Sequence, residues 1–310
     1  MIKTIYQNNI WIEFIQDYFK WDTKQICGYT FCWVNGRWLG NPTRDRMFIA
    51  GDIDSFVEKL PNENIEFNSF IRPVQCNYTA EMTRSYINLT EFNYEDLPKD
   101  TRYEIRKGEK IVEYVTYDNW EVRIEKNYVV RLANSPQDLK EWHKIMCMKR
   151  KQLGSLCYPL SFFQKMLDNE INTYADLYVM EERQDTGTGI VNHRIVGGLL
   201  TIADDNVLID GYSATIPGIK HIPSKLIYEV IMMNREYFDY FDFGCDPNEC
   251  ENLLKFKKSF GTIQEPVYTL SIGVTRNSKT IVDGWKKRVL QAMPLWWHQH
   301  IGGKFIKWLI

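Results

Sequence analysis

Seven cysteines are spread over 310 residues. None forms a C-x-x-C pair, and no Cys/His group has zinc-finger spacing. The scatter argues against a disulfide scaffold and reads as reduced thiols in the cytoplasm. His143, His193, His221, His298 and His300 are equally dispersed, so no metal site is expected. With 18 Gly and 11 Pro, the chain has too few of either for a linker-dominated protein. No window nears the ~18 consecutive apolar residues of a membrane-spanning helix. Residues 1–21 contain Asn8, Asn9, Glu13, Gln16 and Asp17 where a secretory signal would be apolar. The net charge of −2 lacks the basic excess of a dedicated nucleic-acid binder, while leaving room for a local basic patch. The signatures of serine hydrolases, HExxH metalloproteases and P-loop proteins are all missing.

Aromatic residues, in contrast, are plentiful: 16 Phe, 18 Tyr and 10 Trp. They allow a large core. Apolar periodicity predicts a helix over 8–19, strands over 25–34, 46–50 and 65–75, and a helix over 52–60. Asn35-Gly36, between apolar runs, is a hairpin signal because both residues tolerate positive φ. A strand follows at 86–89. Asp96 and Pro98 start a predicted helix over 98–112, and 120–124 with 128–132 reads as a hairpin. Asn134-Ser135-Pro136 is a loop signal, and the chain is divided there into 1–134 and 135–310.

The second part alternates more plainly. Helices are expected over 137–153 and 159–167, strands over 173–182, 193–203 and 207–213, and a helix over 225–238. A strand over 240–243, a helix over 248–260, a strand over 266–273 and helices over 278–293 and 296–310 complete it. Strands alternating with helices argue for an α+β or α/β class with mixed sheets. Each part shows a helix, a strand meander and further helices, which suggests a structural duplication into two separate sheets.

Three segments carry a family resemblance: residues 86–110, YINLTEFNYEDLPKDTRYEIRKGEK; residues 149–167, KRKQLGSLCYPLSFFQKML; and residues 241–261, FDFGCDPNECENLLKFKKSFG. The last has a D-F-G strand end, then a helix ending in F-K and a later glycine. Together they resemble the FemAB family, tandem acyltransferase-fold enzymes that attach amino acids to peptidoglycan precursors. The resemblance implies two halves of GCN5-related N-acetyltransferase (GNAT) type, the N-terminal one degenerate. It also implies a cytoplasmic acyltransferase without a tightly bound cofactor. Its co-substrate would be aminoacyl-tRNA or acyl-CoA, and its acceptor an amine of a cell-wall precursor or amino-sugar, small or lipid-linked. A tRNA acceptor stem is an implied partner, and DNA is not. A simple GNAT enzyme cradles the coenzyme A pyrophosphate in a glycine-rich loop at a helix N-terminus. The corresponding residues 214–224, ATIPGIKHIPS, hold one glycine and two prolines.

Amine acylation needs a base, an oxyanion donor and alignment. The resemblance marks Lys257, in KFKKSFG, as the cation for the oxyanion; spacing alone equally allows a lysine lining a helix end. Asp210 and Tyr212 lie on the strand that lines a GNAT cleft, and strict alternation puts them on one face with Leu208. Either they form the base and its neighbour or they face solvent. Asp242 and Asp246 bracket a strand end: a carboxylate there orients Lys257 or accepts the amine proton, while Asp246 also suits a turn. Phe256 is expected to point away from Lys257 and anchor the helix end. Arg102, Arg106 and Lys110 share a helix face, and Lys149, Arg150 and Lys151 form a second basic group. Each set is either a phosphate site or a solvated surface. Arg102, Arg106, Arg150, Asp242 and Phe256 thus form the expected substrate-binding set. The aromatic tail PLWWHQHIGGKFIKWLI either packs on the second half or makes peripheral membrane contact. The competing reading of the whole chain is a catalytically degenerate GNAT fold that binds a ligand or partner.

Overall fold

The computed structural model describes residues 9–26, 29–34, 36–40, 50–61, 64–70, 72–73, 78–108, 110–117, 120–168, 175–185, 191–219, 221–273 and 284–308. Helix α1 (Asn9–Phe19) leads into β1 (Thr23–Ile26), β2 (Tyr29–Val34) and β3 (Arg37–Gly40). The Asn-Gly hairpin is present: Val34 pairs with Arg37, and Gly36 has φ +79°. Helix α2 (Ala50–Glu58) then crosses to β4 (Ile65–Ser69), parallel to β3. Ala50 therefore opens a helix where a strand was expected, while 46–49 lie outside the described residues. Next come β5 (Thr79–Asn88), α3 (Lys99–Lys107), β6 (Lys110–Tyr117) and β7 (Trp120–Leu132). The predicted helix over 98–112 ends early, at a Gly108 cap. The β-branched and aromatic run beyond it, KIVEYVTY, forms β6 and pairs with β7.

The second half repeats the early order. Helices α4 (Pro136–Leu153) and α5 (Leu160–Leu167) precede the meander β8 (Ala175–Asp185), β9 (Val191–Asp204) and β10 (Val207–Thr215). Helix α6 (Ile222–Asn234) then crosses to β11 (Tyr240–Pro247), parallel to β10. Helix α7 (Glu251–Lys258), β12 (Ile263–Ile272), α8 (Trp285–Ala292), α9 (Leu295–His300) and a 3-10 segment (Gly302–Trp308) finish the chain. Helix, three-strand meander, crossover helix and parallel strand thus occur twice.

The expectation of two separate sheets is corrected. The described strands form one twelve-stranded mixed sheet, ordered β1-β2-β3-β4-β12-β5-β11-β10-β9-β8-β7-β6. β12 fits between β4 and β5, and β5 pairs with β11 on its other side. Backbone groups that two isolated sheets would leave bare at their edges are paired here by strands from the other half of the chain.

Besides a cluster that joins Phe56 of α2 to Phe31, Phe67 and Leu270, two apolar layers cover this sheet. One joins Phe14 and Phe19 of α1, Trp142 and Cys147 of α4, and Phe162 and Phe163 of α5 to strand residues such as Val207 and Ile209. The other joins Ile105 of α3 and Leu226 and Val230 of α6 to Leu208, Phe241 and Phe243, with Phe256 of α7 against it. At the junction near residue 134, Ser135 caps α4 by accepting from Asp138 N. Asp138 in turn accepts from Asn134 N at 2.9 Å and from both Nη atoms of Arg131 at 2.9 Å. The Arg131 guanidinium holds the Asp138 carboxyl down to about 2. This bonding locks the strand-to-helix turn.

Candidate active site

β10 and β11 run side by side only from Val207↔Tyr240 to Ile209↔Asp242. Beyond that pair both strands are irregular. In β10, Asp210 is opposite Thr201 and Tyr212 opposite Leu200, which leaves Gly211 as the extra residue of a bulge. In β11 the register shifts between Asp242 and Cys245, where Gly244 has φ +77°. A bulge re-aims the side chains on either side of it. That corrects the expected alternation: Tyr212 packs in the layer of Val207 and Ile209, whereas Leu208 lies in the opposite layer.

Asp210, half-buried, is the first β10 residue past the paired segment, and its side chain has no hydrogen-bond partner among the described residues. Burial raises its pKa to about 6; Lys257 and then Lys149 pull it back down, while Asp246 and Asp242 push it up. Lys257, 6% exposed, ends α7; its Nζ donates to Phe243 O at 2.7 Å and forms an ion pair with Asp246. An ammonium has three protons, so one remains after these two contacts. Asp246, not Asp242, therefore holds Lys257. Asp242 accepts from Arg84 Nε at 3.0 Å and from Gly244 N at 2.8 Å, and both members of the Arg84–Asp242 pair are buried. Phe256 stacks edge-on against Phe260 in the core layer, as an anchor for the end of α7 should.

Helix α4 lines the other side. Lys149 Nζ donates to Ser213 O at 3.1 Å, and burial lowers its pKa while Asp210 opposes that fall. Beside it, Arg150 works against the burial that raises the Tyr158 phenol, to which Tyr212 is hydrogen-bonded. The Tyr212 ring stands edge-on to Tyr158, Phe162 and Phe163. Asp210, Tyr212, Lys257, Asp242 and Arg150 are thus gathered around the parting of β10 and β11. Arg102 and Arg106 are not among them: Arg102 pairs with Glu95, and Arg106 is exposed on α3. Lys110 is no longer on their helix, because it opens β6. Sequence reasoning missed Arg84 and Tyr158. A charged residue inside an apolar strand, and a tyrosine beside a turn proline, were the available signals.

No family model and no curated protein matches the sequence. Solved structures do match. The structure called FemX aligns over 87% of this chain and 92% of its own, with 12% identity and a TM-score of 0.55. The fold is that of FemX. A conserved protein of unknown function from Bacteroides thetaiotaomicron VPI-5482 aligns over 84% of this chain and 88% of its own, with 12% identity and a TM-score of 0.52. The FemX-like fold bears out the architecture that the three sequence segments implied.

That fold leaves little room for the pyrophosphate site of a simple GNAT enzyme. Pro223 removes a backbone donor from the first turn of α6, and Ser224 Oγ there donates to Glu104 of α3 at 2.6 Å. A Cβ on Gly108 would stand 2.8 Å from Lys225 Cβ, so α3 is packed directly over the start of α6. A carboxylate occupies the place where an anion would bind. The C-terminal segment packs instead of projecting: His298 is buried, and a Cβ on Gly303 would stand 2.8 Å from Pro159. Trp285 and Trp296 remain exposed on it, and no described helix is long and apolar enough to cross a membrane.

Proposed function

We propose that the protein is an acyltransferase that moves an acyl or aminoacyl group from an activated carrier to an amine of a cell-wall precursor or related amino-sugar. The observation that carries this reading is Asp210: a partly buried carboxyl with no described hydrogen-bond partner and a pKa near 6, set where two parallel strands part and flanked by two lysines. A base poised near the working pH suits removal of an amine proton. As the amine nitrogen attacks, Asp210 takes its proton, and the remaining proton of Lys257 meets the carbonyl oxygen as it becomes negative. Collapse of the tetrahedral intermediate breaks the bond to the carrier, whose leaving atom takes a proton back. Tyr212, held by Tyr158 and the α5 rings, walls the cleft, and Arg150 offers a cation to the carrier. Residues 135–310 supply the chemistry. Residues 1–134 contribute Arg84, which holds Asp242 of β11.

Glu104 at the start of α6 favours aminoacyl-tRNA over acyl-CoA as the donor. Exposed Trp285 and Trp296 suit an acceptor held at a membrane surface. The test is transfer of radiolabelled amino acid from charged tRNA, or of acyl from acyl-CoA, to amine-bearing cell-wall precursors, with wild type beside Asp210→Asn. No turnover by wild type with either donor, together with retained binding of the precursor, would establish the degenerate binding reading instead.

A further inference from the structure

Behind the Tyr158 wall lies a second group of reactive side chains that the acyl-transfer chemistry does not use. His143 and Cys147 sit one turn apart on α4, and Cys157 comes from the segment between α4 and α5. All three are buried, and their ligand atoms lie within 4.8 Å of one another. Each sulfur is a free thiol. His143 Nε2 lies 2.9 Å from Tyr158 O. A carbonyl can only accept, so Nε2 carries the proton and Nδ1 keeps its lone pair. Cys147 Sγ is 4.0 Å from that Nδ1 and 3.6 Å from Nε2. Around a tetrahedral zinc, with ~2.0–2.1 Å Zn–N and ~2.3 Å Zn–S bonds, Sγ and Nδ1 would be roughly 3.6 Å apart.

A second buried histidine lies nearby. His298 of α9 is 1% exposed, and its Nε2 lies 2.8 Å from Leu290 O, so its Nδ1 also keeps a lone pair. That Nδ1 is buried and has no hydrogen-bond partner among the described residues. Its charge bears on Cys147, although the ring lies outside the group of ligand atoms within 4.8 Å of one another. A buried nitrogen without a partner is costly in a folded protein. Both imidazoles are thus anchored through Nε2 to a backbone carbonyl, which is how metal-ligating histidines are commonly oriented.

We propose that His143, Cys147 and Cys157 bind a soft divalent cation of the zinc class. Two thiolates and one imidazole are three ligands of the kind such an ion prefers. Binding forms two metal–sulfur bonds and one metal–nitrogen bond and releases the two thiol protons to solvent. The ion ties α4 to the Cys157-Tyr158 segment, and so holds Tyr158 against Tyr212. The spacing H-x3-C-x9-C belongs to no regular finger, which is why the sequence suggested no metal.

The test strips the full-length reduced protein with a chelator and titrates it with Co2+ alone. The expected result is uptake of one ion per chain, with a thiolate-to-cobalt charge-transfer band and strong tetrahedral visible bands, both displaced by Zn2+. Cys147→Ser and Cys157→Ser should each weaken or abolish the charge transfer. His143→Gln should retain it while loosening the affinity. A folded, fully reduced wild type that takes up no Co2+ overturns the proposal without recourse to any variant. So does charge transfer that is undiminished in Cys157→Ser.

Discussion

Lys257 and Asp210 act on each other without a hydrogen bond between them. The lysine is the strongest influence lowering the Asp210 pKa, yet its own contacts go to Phe243 O and Asp246. The carboxyl is therefore left available near a cation that is fixed elsewhere, and the first two predictions separate these roles.

Asp210→Asn should lower kcat by ~10²–10⁴-fold, the usual contribution of a general base. In wild type, kcat/KM should rise with pH through about 6. Stability should respond in the opposite sense. The folded pKa lies above the ordinary 3.8, so the Asp210 contribution is fully present below 3.8 and is lost as pH rises through about 6. Denaturant melts at pH 5 and pH 8 should show Asp210→Asn gaining on wild type at the higher pH. A flat pH–rate profile with unchanged kcat would remove Asp210 from the mechanism.

Lys257→Met should cost ~10²–10³-fold in kcat if the lysine is the oxyanion donor. The same change strands Asp246, and breaking a buried pair destabilises by ~3–5 kcal/mol. Lys257→Met with Asp246→Asn should recover much of the stability but none of the kcat. Recovery of both in the double variant would make the lysine purely structural.

Asp138→Ala should remove the lock between β7 and α4. The folded carboxyl sits near 2 instead of 3.8, so its stabilisation is present above 3.8 and disappears as pH falls through about 2. At ~1.4 kcal/mol per pH unit, that is about 2 kcal/mol at neutral pH. Acid titrations should show wild type losing this margin and Asp138→Ala lacking it throughout.

Gly198→Ala should destabilise the protein by more than 1 kcal/mol, since overpacking a core typically costs ~1–3 kcal/mol. The new methyl would stand 2.6 Å from Trp142 Cδ1 and 2.7 Å from Tyr178 O, against a tryptophan with no exposed surface whose Nε1 donates to Gly198 O. A denaturation midpoint equal to wild type would mean that α4 shifts off the sheet freely.

Local signals were read well from sequence. The Asn35-Gly36 hairpin, the Ser135 cap and the alternating run of β8 to β10 depend on neighbouring residues, and they are present in the structure. What depends on distant pairing was not legible. No local pattern tells β12 to fit between β4 and β5, so the sheet was divided in two. Single-residue insertions were hidden as well: one extra Gly211 sends Tyr212 to the face opposite Leu208, which a period of two cannot anticipate. At the site, Lys257 and Asp242 were found through a short segment of family resemblance. Arg84 was missed because its partner, Asp242, is 158 positions away.

The insertion of β12 also bears on how the chain is made. Strands β4 and β5 are complete early in synthesis, but the strand that bridges them spans Ile263–Ile272. Domains commonly fold in order as they leave the ribosome. Here the first half emerges with an open seam in its sheet, and that seam closes only after Ile272 is out. Contacts between such distant positions also form slowly. The nascent chain therefore presents two bare strand edges until β12 emerges, and a chaperone that covers strand edges should raise the yield more than one that speeds proline isomerisation.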